Sequence, residues 1–178
     1  MMKFDNPRRW LNFVGFFICA GLLGYAYYLQ LYVGLQPCPL CIFQRIGVII
    51  VGLLFLLAGI FSFRGRGARV WGGLIALVAL AGLLTSARHL WIQAHPDAMA
   101  ACGPNLGYML DTLPLFDVIK RVFTGSGDCA IVHWTFLGLS MPGWTLIWFV
   151  LLGGFGAWVN WRQEGKGLSA EDLGLSQE

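Results

Sequence analysis

The residues of this chain best suited to covalent chemistry are its five cysteines: Cys19, Cys38, Cys41, Cys102 and Cys129. Two of them stand as Cys-Pro-Leu-Cys over residues 38–41. That spacing holds two sulfurs close enough to form a small, easily reduced disulfide. At a loop-to-helix junction the helix N-terminus also lowers a thiol's pKa, so thiolate forms near neutral pH. Arg45 follows Cys41 by four residues and so shares its helix face, where a guanidinium favours the thiolate further. The plainer use of Arg45 is as an interface anchor that snorkels to the headgroups. An arginine costs up to about 2.5–3.5 kcal/mol at the centre of a spanning helix and less at its ends, which makes this one a functional candidate.

Other uses of the cysteines compete with redox chemistry. Structural disulfides would fasten a loop by about 2–4 kcal/mol, but a bridge within CPLC closes almost no loop and stabilises little. A four-cysteine zinc site normally shows two close pairs, whereas Cys102 and Cys129 lie 27 residues apart, so no metal is expected. Cys19 sits inside an apolar run and reads as a packing residue.

The elements that must position these side chains follow from charge. Of the 178 residues, 57% are hydrophobic and 12% charged, about half the roughly 25% charge of a soluble domain. This excludes a disordered chain and argues against a soluble one. A net charge of +3, scattered along the chain, gives no footprint for nucleic acid. The charges leave four long apolar runs, and a spanning helix needs roughly 17–25 residues. The predicted spans are about 10–30, 43–63, 70–91 and 144–161. None alternates with period two, so a β-barrel is not expected. The first run is too long for a signal peptide and lacks a small-x-small cleavage site; Phe17 and Ile18 before Cys19 do not suit a lipoprotein site. The expectation is an all-α, integral membrane four-helix bundle forming a single membrane domain over residues 1–178.

Lys and Arg in short connections set orientation. Lys3, Arg8, Arg9, Arg64, Arg66, Arg69, Arg162 and Lys166, eight of the twelve basic residues, fall on one side. Both termini, and the tail 162–178, are therefore expected in the cytoplasm. The loops about 31–42 and 92–143 then face outward and carry Cys38, Cys41, Cys102 and Cys129, in a compartment where disulfides persist. Trp10, Trp71, Trp91, Trp144 and Trp161 fall near predicted helix ends as an aromatic belt would. Within the long loop, Leu115, Phe116, Ile119, Val122 and Phe123 recur at helical spacing. They predict a short amphipathic helix that lies on the membrane surface or packs on the other outward loop. Gly153, Gly154 and Gly156 predict close helix packing. His95 and His133 gain no role.

These residues carry a family pattern. The chain resembles the DsbB family of bacterial inner-membrane disulfide-forming proteins in CPLCIFQR, in His89 thirteen residues before Cys102, and in SGDCAIVHWTFLGLSMPGW over residues 126–144. The match runs along nearly the whole chain. VKOR-like proteins also couple a CxxC to a quinone, but the SGDC segment and the Cys102–Cys129 spacing favour DsbB. The resemblance implies a membrane thiol:quinone oxidoreductase that reoxidises a periplasmic thioredoxin-fold, DsbA-like oxidase and passes two electrons to a bound quinone, ubiquinone or menaquinone. It implies that Cys102 and Cys129 form the disulfide facing the partner, whose thiolate attacks Cys102. Cys38–Cys41 then reoxidises that pair, and Cys41 as thiolate makes a charge-transfer contact with the quinone, helped by Arg45. It also places His89 near the quinone. Gln30, at the same end of the first span, has the chemistry to bond a quinone oxygen, although most such glutamines are simply interfacial.

Overall fold

A computed structural model describes residues 7–34, 37–63, 65–95, 111, 114, 116–118, 129, 132 and 134–162. Four helices dominate it: α1 (Pro7–Tyr32), α2 (Pro39–Phe61), α3 (Arg66–Ala94) and α4 (Met141–Arg162). Each is long and apolar enough to cross a membrane. The all-α four-helix expectation holds; α1, α3 and α4 run past their predicted spans at both ends, while α2 starts four residues before its own and stops two short of its end. Hydropathy marks the part suited to hydrocarbon, while the backbone stays helical through flanking polar residues. At about 1.5 Å per residue, the 29 residues of α3 exceed a hydrocarbon core of about 30 Å.

The extension matters most at α2. It begins at Pro39, with Cys38 as its N-cap, so the connection expected over 31–42 shrinks to residues 33–38. Proline suits the first helical position because its missing N–H would have had no helical partner there. At the other end Ser62 adopts a left-handed conformation (φ 47°) and its N–H bonds Ala58 O, which stops α2 before the RGRGAR turn.

The bundle centre is Cys19, Val48, Val51, Phe55, Ile75, Ala79, Phe149 and Leu152. Cys19 thus packs as expected of a small apolar residue. Glycines let the helices approach. A Cβ on Gly82 of α3 would stand 2.4 Å from the Phe149 ring, and one on Gly156 of α4 would stand 2.4 Å from Ile75 Cγ2. Gly153 likewise faces Ala79, but Gly154 meets nothing within 4 Å, so two of the three predicted packing glycines serve that role. Phe17, Leu77, Leu84 and Val70 remain exposed. Such outward apolar faces suit lipid and would be a liability in water.

Polar side chains also join helices. Far from the CPLC segment, Asn160 Nδ2 of α4 donates to Asn12 Oδ1 of α1 at 3.3 Å. Interhelical bonds of this kind contribute about 0.6 kcal/mol on average inside membranes and fix the register of the two helices.

One element was not foreseen. Thr135–Phe136 (β1) and Leu139–Ser140 (β2) form an antiparallel hairpin, Thr135 opposite Ser140 and Phe136 opposite Leu139. Leu137 (φ 52°) and Gly138 (φ 80°) make its two-residue turn. Positive φ at both central positions is the mark of a type I′ turn, whose twist matches that of the strands. The FLGL sequence is thus a turn signal that apolar composition hid.

Of the amphipathic segment, residues 116–118 are helical, with the N–H groups of Asp117 and Val118 both bonded to Pro114 O. Val118, off the predicted stripe, is buried, while Phe116, on it, is exposed. Val118 packs with Leu40, Ile92 and Cys129, so this turn docks on the start of α2 and the end of α3 and turns Phe116 outward. The rest of the segment, His133, Cys102 and the tail beyond Arg162 lie outside the described residues.

Candidate functional site

The start of α2 fixes the thiol pair. Cys38 has extended φ/ψ, as an N-cap must, and its sulfur accepts the Cys41 N–H at 3.4 Å. One helical turn then brings Cys41 Sγ to 3.2 Å from Cys38 Sγ.

The two sulfurs have different neighbours. Cys38 Sγ is 3.6 Å from His89 Nε2, contributed by α3. Cys129 lies on the same side: Cys38 Sγ, a ring nitrogen of His89 and Cys129 Sγ all fall within 4.8 Å of one another. Cys129 and His89 are buried to 1% and 2% exposure, and Cys38 is partly open. The long connection therefore returns one of its two cysteines to the CPLC pair. Nothing in the linear spacing of residues 38, 89 and 129 revealed this, because it depends on the docking of the 116–118 turn and on the helical phase of α3.

Cys41 faces the other way. With Gln44 and Arg45 it lines an apolar-walled cavity of about 270 Å³ bounded by α1, α2, α4 and the hairpin. Aromatic rings form its outer wall. Tyr25 meets Trp134 edge-on at 6.4 Å, Trp134 stacks on Phe136 at 6.0 Å, and Phe136 tilts against Trp144 at 5.9 Å. Trp144 Nε1 donates to Phe136 O at 3.0 Å, tying the hairpin to α4. The outer wall of the cavity thus depends on a hairpin whose turn has positive φ at Leu137 and Gly138.

Arg45 lines this cavity, and its guanidinium reaches across to α1. Nη1 donates to Gln30 Oε1, Nη2 donates to Ala26 O at 3.2 Å, and the group lies 5.3 Å from the Tyr27 ring centre. The charge is thus fully engaged by α1, which holds the first helix against the second at the cavity. Gln30, read from sequence as interfacial, is its partner.

His89 is not among the residues lining the cavity; it stands behind the thiol pair, held by a polar chain. Its Nδ1 is 3.4 Å from Gln44 Nε2, and Gln44 Oε1 accepts the Thr145 hydroxyl at 3.1 Å. Ser86 Oγ lies 3.2 Å from Thr145 Oγ1 and donates to Gly82 O at 3.0 Å. Gln44, Thr145 and Ser86 were missed from sequence. Their signal was polarity inside apolar spans, where such residues default to functional candidates. Inferring the contacts required knowing that α2, α3 and α4 meet at one level. His95, by contrast, caps α3 on the exposed side and stacks on Trp91 at 4.8 Å.

The arrangement can carry a disulfide exchange on one side and an electron-accepting ring on the other. The two sides are separated by one pair of sulfurs.

Comparison with known proteins shows the family. The sequence profile described as "Disulfide bond formation protein DsbB" matches residues 8–159. A disulfide bond formation protein B of Xanthomonas campestris pv. campestris is 46% identical over 166 residues, covering 90% of this chain and 96% of that protein. The protein of the same name from Marinobacter nauticus is 48% identical over 156 residues, covering 87% and 93%. That from Nitrosococcus oceani is 45% identical over 158, covering 88% and 94%.

Proposed function

The chain belongs to the DsbB family of disulfide bond formation proteins, and from that premise we propose that it is a quinone-dependent thiol oxidase of the bacterial inner membrane. Its substrate is a reduced thioredoxin-fold, DsbA-like oxidase in the periplasm, and its product is that partner's disulfide. The termini lie in the cytoplasm and the thiols outside, as the basic residues predict. The observation that carries this reading is the polarity of the CPLC pair: Cys41 lines the apolar cavity while Cys38 keeps company with Cys129.

The cavity residues suit a quinone head. Apolar and aromatic walls with a few convergent polar groups are the usual form of a small-molecule site. Cys41, Gln44 and Arg45 supply those groups here, with Trp134, Trp144 and Trp148 as walls. Bound there, a quinone would accept two electrons and two protons, chemistry the protein itself lacks.

The remaining work belongs to this chain's sulfurs. Thiol–disulfide exchange needs an attacking thiolate aligned with a disulfide and a leaving thiolate. In this reading the partner's dithiol opens the Cys102–Cys129 disulfide and leaves as a disulfide, so that pair holds the two electrons as thiols. Cys129 then attacks Cys38. The Cys38–Cys41 bond breaks and Cys41 departs as a thiolate on the cavity side, where charge is wanted. Cys102 closes the outer pair again by displacing Cys38, and both electrons now rest on the CPLC sulfurs. His89 holds a proton at Cys38 Sγ, and Gln44 and Thr145 set the orientation of its ring. Arg45, by gripping Gln30 and Ala26, keeps the α1 wall closed against water.

The test is quinone reduction in membranes driven by a reduced thioredoxin-fold partner. The expected result is a rate that vanishes in Cys41→Ser; an unchanged rate in that variant sinks the mechanism. If instead both cysteine pairs only fastened the outer loop, mild dithiothreitol would leave them intact and quinone would not reoxidise them.

A further inference from the structure

The cluster of Cys38, His89 and Cys129 has a second chemical capacity that thiol exchange does not use. Two thiols and an imidazole stand with their donor atoms within 4.8 Å of one another, and the Cys38 Sγ to His89 Nε2 distance is 3.6 Å. Zinc binds sulfur at about 2.3 Å and imidazole nitrogen at about 2.0–2.1 Å, usually as a tetrahedron. Those bond lengths put neighbouring donors about 3.5–3.8 Å apart, so the cluster needs to contract by no more than about an ångström.

We propose that the reduced chain binds one soft divalent cation, zinc in kind, through Cys38 Sγ, Cys129 Sγ and His89 Nε2. Each thiol gives up its proton to solvent as the cation binds, and no electron moves. The oxidised chain cannot bind, because a sulfur committed to a disulfide is no longer a thiolate ligand. Occupancy removes Cys38 and Cys129 from exchange, so the cation arrests the reduced chain.

Three features beyond proximity support the site. His89 and Cys129 are buried to 2% and 1% exposure, which favours a dehydrated soft ion over a hydrated hard one. The ring of His89 has an orienting partner, as metal-bound histidines almost always do. Ligation through Nε2 requires Nδ1–H to donate to the Gln44 side-chain oxygen, which a turn of that amide provides. Gln44 N–H then donates to Thr145 Oγ1, and the Thr145 hydroxyl donates to Pro142 O, already 3.0 Å away. Finally, Cys38 accepts the Cys41 N–H at 3.4 Å, a charge-assisted contact once Cys38 is a thiolate. Four-cysteine spacing argued against zinc because Cys102 and Cys129 are far apart in sequence; the fold substitutes His89 and makes that objection moot.

Cation binding needs reduced thiols but neither quinone nor partner, so it is tested without them. The full-length chain in lipid nanodiscs is reduced, freed of reductant and quinone, and titrated with Co2+ and then Zn2+. The expected result is one Co2+ per chain, with sulfur-to-cobalt absorption in the near ultraviolet and tetrahedral visible bands, both displaced by Zn2+. X-ray absorption of the zinc-loaded wild type should show a shell of two sulfurs with nitrogen or oxygen, a measurement that depends on no variant. Cys129→Ser and His89→Ala should lose binding about 100-fold or more, and Gln44→Leu about tenfold as the ring loses its orienting bond. Cys19→Ser and Cys102→Ser should bind as wild type. Binding by the oxidised chain, a shell without sulfur or of sulfur alone, or affinity indifferent to His89 and Cys129 overturns the proposal. Failure of quinone turnover with normal cobalt binding would count against the oxidase reading and leave this one standing.

Discussion

His89 Nε2 lies 3.6 Å from Cys38 Sγ, and the imidazole comes from the polar end of α3, just past its apolar stretch over residues 70–84. The resemblance to the family had suggested a place near the quinone. The geometry puts the ring behind the thiol pair and sets Cys41, Gln44 and Arg45 against the cavity. In the proposed mechanism this ring moves protons at Cys38, so it should affect turnover more than quinone affinity. His89→Phe is therefore expected to lower kcat by about 100-fold or more, the usual worth of a positioned acid or base. The KM for quinone should stay within about threefold, because KM losses come from uniform binding and His89 does not line the cavity proposed for the quinone. Steady-state quinone reduction measured against quinone concentration separates the two; a raised KM with unchanged kcat would return His89 to the quinone.

Arg45 and Gln30 should behave as a unit. Arg45 donates to Gln30 Oε1 and to Ala26 O, so removing either partner loosens α1 from α2 at the cavity. Arg45→Met should raise the KM for quinone about tenfold or more, and Gln30→Leu should raise it less, because Ala26 O still holds the guanidinium. The double variant should resemble Arg45→Met alone, the non-additivity of residues that share one interaction. Additive losses in that cycle would mean that the two side chains act separately.

How much of this was legible beforehand depended on what each signal measures. Charge depletion gave four spans because lipid constrains composition over about 20 residues at a time. Cys38, Cys41 and Arg45 were legible because one helical turn sets their spacing. Gln44, Thr145 and Ser86 were not, since their hydrogen bonds join three helices whose rotation about their own axes leaves little trace in composition. The hairpin was missed because two-residue strands carry no period to detect, and only Gly138 hinted at the turn. Cys129 was foreseen as reactive, but its approach to Cys38 rests on Val118 docking beside Leu40 and Ile92, a contact that the stripe of residues 115–123 put on the wrong side.

The hairpin gives a separate handle on the cavity. Gly138 sits at φ 80° with open space around it, so a side chain there meets no neighbour and strains only the backbone. Left-handed conformations cost an L-residue roughly 1–2 kcal/mol. Gly138→Val should therefore leave helical content intact, weaken the Trp134–Phe136–Trp144 wall, and raise the KM for quinone several-fold. Circular dichroism and tryptophan fluorescence quenching by added quinone would check both halves; unchanged quenching would detach the hairpin from quinone binding.

Packing of α3 against α4 supplies the last prediction. A Cβ on Gly82 would meet the Phe149 ring at 2.4 Å, with three ring atoms under 3.0 Å, and Phe149 is itself buried in the bundle centre. The ring has no room to retreat, so Gly82→Ala must push the helices apart. Overpacking of this kind costs typically about 1–3 kcal/mol. It would also move Ser86 and His89, one and two turns further along α3, away from Thr145 and Cys38, so a loss of turnover should accompany the loss of stability. Gly154→Ala, with nothing within 4 Å, is the matched control and should be neutral or slightly stabilising through helix propensity. Thermal unfolding in detergent, followed by fluorescence, should separate the two variants by several degrees. Equal midpoints would show that α3 and α4 are not held by this close approach.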